Sequence, residues 1–523
     1  MGIDEIGQRL MLAFRGFQCP DGKPLDDLLA YCPAGFTFFR SFNIESPAQL
    51  RQLTADLSQA AQRNGLPPFL FALDQEGGQL MAAGNCTQLP GNMALGAAND
   101  PALAELAGQV LGRELSAMGI NVDYAPCVDV NVNPRNPVVG VRSFGEDPQA
   151  VAALTAAMIR GIQSQGVAAT AKHFPGHGDT ATDSHLSMSL VSHSLTQLER
   201  IDLVPFQTAV ENDVKLVMTG HLGLPALGLE KLIPATLAPE VLQGLLRQRC
   251  HFSGVVITDA MDMKAIQQGE ELRHEVSRAL QAGADLLLMT AEAADHRRAF
   301  QGLADAYAAI PHETFRASLQ RIHDLKEWLQ LQRLDTPLEV IRCQEHQQVA
   351  RRIAEAALTK VRDRQQLLPL NPSEQVAVIL PQPGDLTPAD TSSYVHIQLA
   401  ESLRQYMPSV AEKLISLDPD DSEITAALQF ASHYDTVVIG TINAASNSGQ
   451  ARLVRELQVR HPRLIVAALR LPYDLSVFPE VGTYLCTYSI LDPSMAALAA
   501  GLVGAIPFPG KLPVTLPGLV KTD

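Results

Sequence analysis

The sequence predicts an α/β protein in which an N-terminal (β/α)8 barrel of the TIM type is followed by a smaller C-terminal α/β sandwich domain. Three observations predict this fold class. Short apolar runs alternate with longer amphipathic stretches over residues 1–331. Several of these apolar runs end on a polar residue. A second series of strands and helices begins after a polar interval at residues 332–346. At 523 residues, the chain is also too long for one hydrophobic core.

Eight apolar runs have the length and composition of barrel strands. They lie at residues 10–14, 35–39, 69–74, 122–129, 167–172, 215–221, 254–259 and 285–289. Helical stretches are predicted at residues 47–63, 101–118, 148–164, 195–211, 239–248, 291–309 and, closing the unit, 313–331. Eight strands with helical crossovers match a (β/α)8 barrel in number and length, and a doubly wound open sheet is the alternative.

The polar residues at the ends of five predicted strands favour the barrel. These residues are Asp74, Asp129, Lys172, His221 and Asp259. In a barrel, the carboxyl ends of the strands converge on one mouth, whereas an open sheet spreads them along an edge. The sequence therefore predicts a functional site at the mouth of a barrel.

The chain is divided into a catalytic barrel at residues 1–335, a linker at 336–346 and a C-terminal domain at 347–523. The second domain is predicted to begin with a helix at 347–358. Its strands are predicted at residues 376–380, 414–417, 436–441, 464–469 and 483–487. Its further helices are predicted at residues 396–406, 421–432, 449–461 and 493–504. This alternation is typical of an α/β sandwich.

Composition limits the class of partner. The chain has 40 basic and 56 acidic residues, a formal net charge of −16, which argues against nucleic acid or an anionic membrane as partner. Seven scattered cysteines with no CxxC pair argue against a disulfide framework and favour a reducing compartment, so a cytoplasmic protein is expected. The N-terminus lacks the basic and apolar regions of a secretory signal, and no apolar run is long enough to span a membrane.

The segment AKHFPGHGDTATDSHL, residues 171–186, carries the densest group of ionisable side chains. They are Lys172, His173, His177, Asp179, Asp183 and His185. These groups are costly to bury unpaired, so a self-satisfied polar loop is the least favoured interpretation. Two others remain open: the imidazoles and carboxylates ligate a metal, or Asp183 orients His185 for proton transfer.

Three further motifs carry candidate site residues. Asp259, in VVITDAMDM, is either a helix N-cap or a carboxylate suited to nucleophilic attack. Asp74 opens DQEGG, whose paired glycines let the backbone approach a ligand. Arg142, in VRSFGEDP, either pairs with Glu146 or Asp147 at the surface or binds sugar hydroxyls or a carboxylate.

Together, KHFPGHG, the following DSH, DQEGG, VRSFGEDP and ITDAMDM resemble glycoside hydrolase family 3, in particular its bacterial β-N-acetylglucosaminidase (β-N-acetylhexosaminidase) branch of the two-domain type. The resemblance implies a retaining mechanism without a metal or organic cofactor. It implies that Asp259 is the nucleophile, His185 the general acid/base and Asp183 its orienting partner. It also implies that the hydroxyls of the non-reducing sugar are bound by Asp74, Arg142, Lys172 and His173.

One departure from the family pattern concerns charge. The family's DQEGGR motif continues through two arginines, and Gln79 and Ala82 stand at those places here. This loss weakens the case for an anionic peptidoglycan fragment and leaves room for chitin-type substrates.

The expected activity is exo-acting removal of terminal β-linked N-acetylglucosamine from peptidoglycan or chitin fragments through a covalent glycosyl-enzyme intermediate. The alternatives within the enzyme class are a β-glucosidase or broad exo-glycosidase of the same family, an N-acetylglucosaminide phosphorylase and a metal-dependent hydrolase. A non-catalytic glycan-binding protein is the alternative from another class, and the presence of Asp259, Asp183 and His185 argues against it.

Overall fold

The computed structural model describes residues 3–182, 188–228 and 232–518. Eight parallel strands form the N-terminal barrel: Leu10–Leu12, Gly35–Thr37, Leu70–Leu73, Val122–Asp123, Ala168–Phe174, Leu216–Thr219, Val255–Thr258 and Leu287–Leu288. Each strand pairs with its neighbours in the sequence series, and the first pairs with the last through Leu10 and Leu287. A bridge between Ile257 and Leu286 joins the last two strands. The predicted barrel is confirmed, and the doubly wound sheet is excluded.

Five helices of the first unit lie close to their predicted positions: Pro47–Arg63, Pro101–Ala117, Pro148–Gln163, Ala293–Ala309 and His312–Leu331. The region predicted as one helix at 195–211 holds Leu195–Arg200 and Leu203–Glu211. The sequence analysis did not predict the remaining helices of the described residues, which are Ile3–Gly7, Lys23–Leu29, Arg40–Asn43, Asn92–Ala98 and Leu272–Ala282. Glu240–Arg249 is a π-helix, and the 3₁₀ turns of this unit are Gly140–Arg142, Pro225–Leu227, Ala235–Leu237 and Gly269–Glu271. The single helix predicted at 195–211 is wrong, because the chain breaks between Arg200 and Leu203 into two helices.

Three of the barrel helices begin in the same way. Each has proline as its first helical residue, preceded by Ser46, Asp100 or Asp147, whose side chain accepts a hydrogen bond from a backbone N–H of the first turn. Proline is favoured there because its missing N–H would have no helical partner, and the preceding side chain satisfies another of the free donors. These caps explain why the helix starts are predictable from sequence.

The amino ends of the barrel strands are covered by the helix His312–Leu331. Its Ile322, Leu325 and Leu329 join the apolar cluster of the barrel interior. Nearby, Asp285 accepts hydrogen bonds from Arg247 and Arg321. The carboxyl ends of the strands lie at the opposite end of the barrel, where this helix does not cover them and a functional site can form.

The second domain is built on a six-stranded sheet. In chain order, its strands are Thr359–Asp363, Val376–Pro381, Val410–Ile415, Thr436–Thr441, Leu464–Ala468 and Thr483–Cys486. The α-helices of the domain within the described residues are Gln344–Ala357, Leu399–Arg404, Asp421–Ala431, Ser448–Arg460 and Asp492–Leu502, and its 3₁₀ helices are Leu338–Val340, Ser392–Tyr394 and Pro472–Val477. The strand Thr359–Asp363, antiparallel to Thr483–Cys486, was not predicted, since its polar sequence, TKVRD, has no apolar run.

The two units are joined by a buried contact. The carboxylate of Glu114, on a barrel helix, accepts hydrogen bonds from His346 Nδ1 at 2.8 Å and from the backbone N–H of Arg342 at 2.8 Å. Burial raises the pKa of Glu114, but these donors and Thr87 outweigh it and lower the pKa. The helix that opens the second domain is thereby fixed to the barrel. The predicted domain boundaries at 335 and 347 remain a prediction.

The sequence analysis also predicts that the cysteines form no disulfide framework and that no segment spans a membrane. The seven cysteines all lie within the described residues, and none of them forms a disulfide bond. Among those residues, no helix is both long and apolar enough to cross a membrane.

Candidate active site

A cavity of about 610 Å³ lies at the carboxyl ends of the barrel strands. Five predicted site residues line it: Asp74, Arg142, Lys172, His173 and Asp259. Lys172 and His173 are neighbours on one strand, and the other three residues come from strand ends or loops far away in sequence. All five meet because the barrel brings its strand ends together. Asp183 and His185 lie outside the described residues, so their placement is not part of the geometry below.

A buried carboxylate, Glu76, organises the charges on one side of the cavity. Arg142 donates two hydrogen bonds to it, at 2.8 and 2.6 Å, and Lys172 Nζ lies 2.7 Å from its Oε1. Lys172 also donates to Asp74 Oδ1 at 2.5 Å. The side chain of Asp74 is 27% exposed, whereas Lys172 and Glu76 are each 1% exposed. Asp74 is therefore the member of this network that is open to a ligand.

The alternative in which Arg142 pairs with Glu146 or Asp147 is wrong. Asp147 caps a helix by accepting from Gln149 and Ala150, and Glu146 accepts from the hydroxyl of Thr515. Sequence reasoning missed Glu76, although DQEGG contains it, because the partner of Arg142 is 66 positions distant in the chain.

The network keeps its members charged despite burial. Burial raises the pKa of Glu76, but Arg142 and Lys172 outweigh it and hold the pKa at about 2. Burial lowers the pKa values of Arg142 and Lys172, and their carboxylate partners reverse the direction and raise both. Buried ions persist only when paired in this way, so each charge depends on the others.

Replacing Glu76 is expected to be strongly destabilising. Glu76→Gln leaves two buried cations without their shared counter-ion, and we expect the free energy of unfolding to fall by about 3–5 kcal/mol. Because the pKa of Glu76 is about 2 in the folded protein against an ordinary 4.5, its contribution is complete above the ordinary value and is lost as the pH falls toward 2. Denaturant unfolding of both proteins at pH 7 measures the effect. A loss below 1 kcal/mol contradicts the account, and Glu105→Gln, at a half-exposed pair with Arg160, is the matched control.

A second network orients His173. Asp129 Oδ2 lies 2.8 Å from His173 Nδ1, and Asp129 Oδ1 accepts the backbone N–H of His177 at 2.6 Å. Since a carboxylate only accepts, the Nδ1 of His173 carries the proton and Nε2 faces Arg142 Nη2, at 3.4 Å. Burial raises the pKa of Asp129, but His173 and His177 outweigh it and lower the pKa. Asp129 thus positions a ligand-facing imidazole.

The glycines of KHFPGHG permit close backbone approach. Gly176 has φ +129°, and a Cβ there would lie 2.6 Å from the Cβ of Asp202. A Cβ on Gly178 would lie 1.8 Å from the carbonyl oxygen of Val130. Between them, His177 lines the cavity with Nδ1 2.7 Å from the hydroxyl of Thr180. Burial lowers the pKa of His177 to about 4, so the ring is neutral at pH 7.

The described residues on either side of 183–187 are tied to each other. Ser189 Oγ donates to the carbonyl oxygen of Thr182 at 2.7 Å, and Asp179 Oδ2 accepts the backbone N–H of Ser192 at 2.8 Å. His193 Nδ1 lies 2.5 Å from Asp202, a hydrogen bond that raises the pKa of His193. These contacts fix both points from which the segment carrying Asp183 and His185 departs.

Asp259 follows the strand Val255–Thr258 and lines the cavity. Its Oδ1 accepts the backbone N–H of Ala260 at 2.8 Å. Turns follow it and no helix begins there, so the N-cap interpretation is wrong. The adjoining carbonyl of Ala260 is bound by His221 Nε2 at 3.0 Å, and His221 Nδ1 lies 2.8 Å from the hydroxyl of Thr236. His221, predicted at this mouth, thus supports the loop that carries Asp259.

A group of three neighbouring side chains, one of which lines the cavity, has the atom types that could bind a metal ion and so tests the metal interpretation. Cys127, Asp129 and His173 have one such atom each within 4.8 Å of the others. The Asp129–His173 contact of 2.8 Å is a hydrogen bond, and the Sγ of Cys127 donates to the same carboxylate at 3.2 Å. Two ligands of a tetrahedral zinc lie about 3.3 Å apart, farther than this contact. Burial also raises the pKa of Cys127 well above its ordinary value, which opposes the thiolate that a metal requires.

The second domain also reaches the cavity, through residues 385–394. The side-chain Nε2 of Gln79 donates to the carbonyl oxygen of Ala389 at 3.0 Å. The backbone carbonyl oxygen of Gln79 accepts a hydrogen bond from the backbone N–H of Thr391 at 2.8 Å. Arg470 contacts both the Gln79 side chain and Asp390. Gln79, which departs from the family motif, is thus a contact between domains. Sequence reasoning missed this part of the cavity, since only tertiary structure brings it to the barrel.

These features agree with comparison to known proteins. The chain belongs to glycoside hydrolase family 3, because residues 25–325 match the family's model, described as the glycosyl hydrolase family 3 N terminal domain. It is therefore a glycoside hydrolase, and the family resemblance noted in the sequence is confirmed.

Relatives extend the match over both domains. The chain is 30% identical to beta-hexosaminidase A of Pseudoalteromonas piscicida, covering 98% of this chain and 96% of the relative. It is 29% identical to a beta-N-acetylglucosaminidase/beta-glucosidase of Cellulomonas fimi, covering 89% and 87%. The structure of a glycoside hydrolase family 3 beta-N-acetylglucosaminidase from Paenibacillus sp. str. FPU-7 superposes with a TM-score of 0.92 at 34% identity, covering 99% of this chain and 100% of that one.

Proposed function

We propose that this protein is an exo-acting, retaining β-N-acetylglucosaminidase that removes terminal β-linked N-acetylglucosamine from glycans. The observation that carries the proposal is the cavity in which Asp259 lies with the paired charges of Asp74, Lys172 and Arg142. Two relatives covering most of the chain and a 34% identical structure bear names that specify beta-hexosaminidase or beta-N-acetylglucosaminidase activity, and one of these names adds beta-glucosidase.

The non-reducing sugar is held by groups with fixed directions. Asp74 accepts from sugar hydroxyls on the face not used by Lys172, while the Lys172 ammonium and the His173 Nε2 edge are presented from buried positions. Arg142, locked on Glu76, completes this side. Because the partners are already paired before the sugar arrives, little reorganisation is needed on binding.

Catalysis then follows the double-displacement course of a retaining glycosidase. His185, oriented by Asp183, donates its proton to the glycosidic oxygen while the Asp259 carboxylate attacks the anomeric carbon. The leaving group departs with that proton, and Asp259 is joined to the sugar as an ester. The same imidazole, now neutral, takes a proton from water, whose oxygen attacks the anomeric carbon and releases Asp259. Histidine performs both transfers near neutrality because its ordinary pKa is about 6.5.

A panel of aryl β-glycosides tests this function. The purified protein is expected to hydrolyse the N-acetylglucosaminide with a kcat/KM at least about tenfold above that for the glucoside, a preference equivalent to about 1.4 kcal/mol in the transition state. Preferential turnover of the glucoside favours the β-glucosidase alternative, and turnover of neither glycoside contradicts the proposal.

We expect no dependence on metal. Extensive dialysis against a chelator should leave kcat unchanged, because neither the paired network at Glu76 nor the Asp183–His185 pair uses a metal in this mechanism. Activity before and after dialysis, with elemental analysis of the protein, measures this. Recovery of lost activity only on adding zinc or iron would overturn the mechanism.

Phosphate is the acceptor that competes with water in the phosphorylase alternative. An imidazole base does not repel an incoming anion as a carboxylate base does. We expect hydrolysis to dominate, because Arg142 and Lys172 are already paired with Glu76 and Asp74 and are not available to a phosphate. Product analysis in millimolar phosphate decides: mainly N-acetylglucosamine 1-phosphate, with turnover rising as phosphate is added, contradicts the hydrolase assignment.

The proposed substrates are fragments of chitin or of peptidoglycan, and the proposed location of the enzyme is the cytoplasm. If the substrates are peptidoglycan fragments, the enzyme takes part in peptidoglycan recycling. Seven cysteines without a disulfide bond support a reducing compartment. Fractionation of cells that produce the protein tests the location, and recovery in the extracellular fraction contradicts it.

A further inference from the structure

The mouth of the cavity is formed jointly by the barrel and by one segment of the second domain. We name residues 385–394 the capping segment. Its cavity-lining residues are Asp385, Pro388, Ala389, Asp390, Thr391 and Tyr394. Asp259 and the sugar-binding network lie at the strand ends, so a group attached to the anomeric oxygen of a bound sugar extends toward the loops and the capping segment.

The capping segment is held in one conformation. Asp385 accepts from the backbone N–H and hydroxyl of Ser393, each at 2.8 Å, and Asp390 accepts from Ser392 and from the backbone N–H of Leu386. Across the domain boundary, Thr391 Oγ1 donates to the carbonyl oxygen of Gln79 at 2.8 Å. A segment with this many bonds is preorganised for binding a ligand.

One side chain of the capping segment presents an open aromatic ring to the cavity. Tyr394 is 57% exposed, and the guanidinium of Arg40 lies 3.9 Å from the centre of its ring. Arg40 is itself fixed, since its Nη1 donates to the carbonyl oxygen of Met81 at 3.2 Å. An aromatic ring stacked on a guanidinium on one side offers the remaining surface to the apolar face of a sugar.

The charge of the cavity lining indicates which kind of sugar ring binds next to Tyr394. The described lining of the cavity carries five cations and six carboxylates; the cations are Arg15, Arg40, Arg142, Lys172 and Lys264, and the carboxylates are Asp74, Asp259, Asp262, Glu292, Asp385 and Asp390. Arg15 is paired with Glu292, and Arg142 and Lys172 are paired with the carboxylates described above. Arg40 lies against the Tyr394 ring and has Asp385 as a charged neighbour. The lining offers no surplus of positive charge that would compensate the desolvation of a carboxylate, so an uncharged ring is favoured.

We propose that Tyr394, positioned by Arg40, forms the binding site for the leaving-group sugar and takes an uncharged pyranose such as a second N-acetylglucosamine. The second domain then determines leaving-group specificity, while the barrel holds the sugar that is transferred. This inference rests on the proposed N-acetylglucosaminidase activity and adds to it the residues that recognise the other half of the substrate.

The test compares two substrates that differ only in the leaving group. N,N′-diacetylchitobiose places a sugar ring on Tyr394, whereas N-acetyl-β-glucosaminyl fluoride places nothing there. We expect Tyr394→Ala to lower kcat/KM for the disaccharide about tenfold and to leave that for the fluoride within about twofold. Activity on the fluoride also shows that the variant is folded. Tyr406→Ala, at another exposed tyrosine of the same domain, is the matched control and should change neither value.

Equal losses on both substrates, or no loss on the disaccharide, overturn the assignment of Tyr394. Wild-type protein that turns over neither substrate overturns the proposed function and this site with it, which separates that failure from a failure of Tyr394 alone. A third substrate tests charge: the wild type should favour diacetylchitobiose at least about tenfold over a disaccharide whose leaving sugar carries a lactyl carboxylate. The reverse preference overturns the uncharged class.

Discussion

Asp259→Ala is expected to lower kcat at least about a thousandfold while the protein still binds N-acetylglucosamine. The substitution removes the oxygen that forms the glycosyl ester, but it leaves the proposed sugar-binding residues Asp74, Arg142, Lys172 and His173 in place. Steady-state kinetics with an aryl N-acetylglucosaminide measure the first effect, and calorimetric titration with the free sugar measures the second.

A neighbouring carboxylate supplies the control for that variant. Asp262 also lines the cavity, three residues further along the same loop, and accepts from the hydroxyl of Thr290 at 2.5 Å. Burial raises the pKa of Asp262, which disfavours the anion that a nucleophile needs. Asp262→Asn should therefore keep kcat within about tenfold of wild type. If the two variants lose activity equally, or if folded Asp259→Ala is fully active, Asp259 is not the nucleophile.

The second large effect is expected at His185, and it should depend on the leaving group. A good leaving group needs little protonation, so His185→Ala should reduce glycosylation least for activated aryl glycosides and by a factor of about 10²–10⁴ for natural disaccharides. The measurement is kcat/KM across aryl glycosides with leaving groups of graded acidity, for the variant and the wild type.

Asp183→Asn should show the same pattern with a smaller loss, because it misorients the imidazole without removing it. An equal loss for every leaving group in His185→Ala contradicts proton donation by this residue. A further control is His461→Ala, since His461 lies in the second domain, donates to the carbonyl oxygen of Tyr434 at 2.9 Å outside the cavity lining and has no role in the proposed proton transfer.

The barrel was predictable because its signals are local. All eight predicted strands overlap observed strands, since each is a short apolar run, and polar residues such as Lys172 and Asp259 mark the ends that meet at the mouth. Proline after a capping side chain fixes helix starts at residues 47, 101 and 148. The predicted strands ran longer than the observed ones at several places, for example 122–129 against Val122–Asp123, because apolar loops at the mouth resemble strand continuations.

The features that escaped prediction depend on contacts distant in sequence. The counter-ion of Arg142 is Glu76, whereas the nearer carboxylates at 146 and 147 have other roles. Asp129 was recognised as a strand-end residue but not as the group that orients His173, because that role follows only from their 2.8 Å contact. The capping segment contributes to a cavity whose nearest barrel residue in the chain, Glu292, lies 93 positions before Asp385, and no periodicity or motif in residues 385–394 signals it.

The most direct measurement of the central claim is to trap the glycosyl-enzyme intermediate. A slow fluorinated N-acetylglucosaminide, incubated with the protein and followed by proteolysis and mass spectrometry, should add one sugar to the peptide that contains Asp259. The account predicts that this label is absent in Asp259→Ala and that the sugar released by the wild type keeps the β configuration. A label on another carboxylate, or release of the α anomer without any labelled peptide, would contradict it.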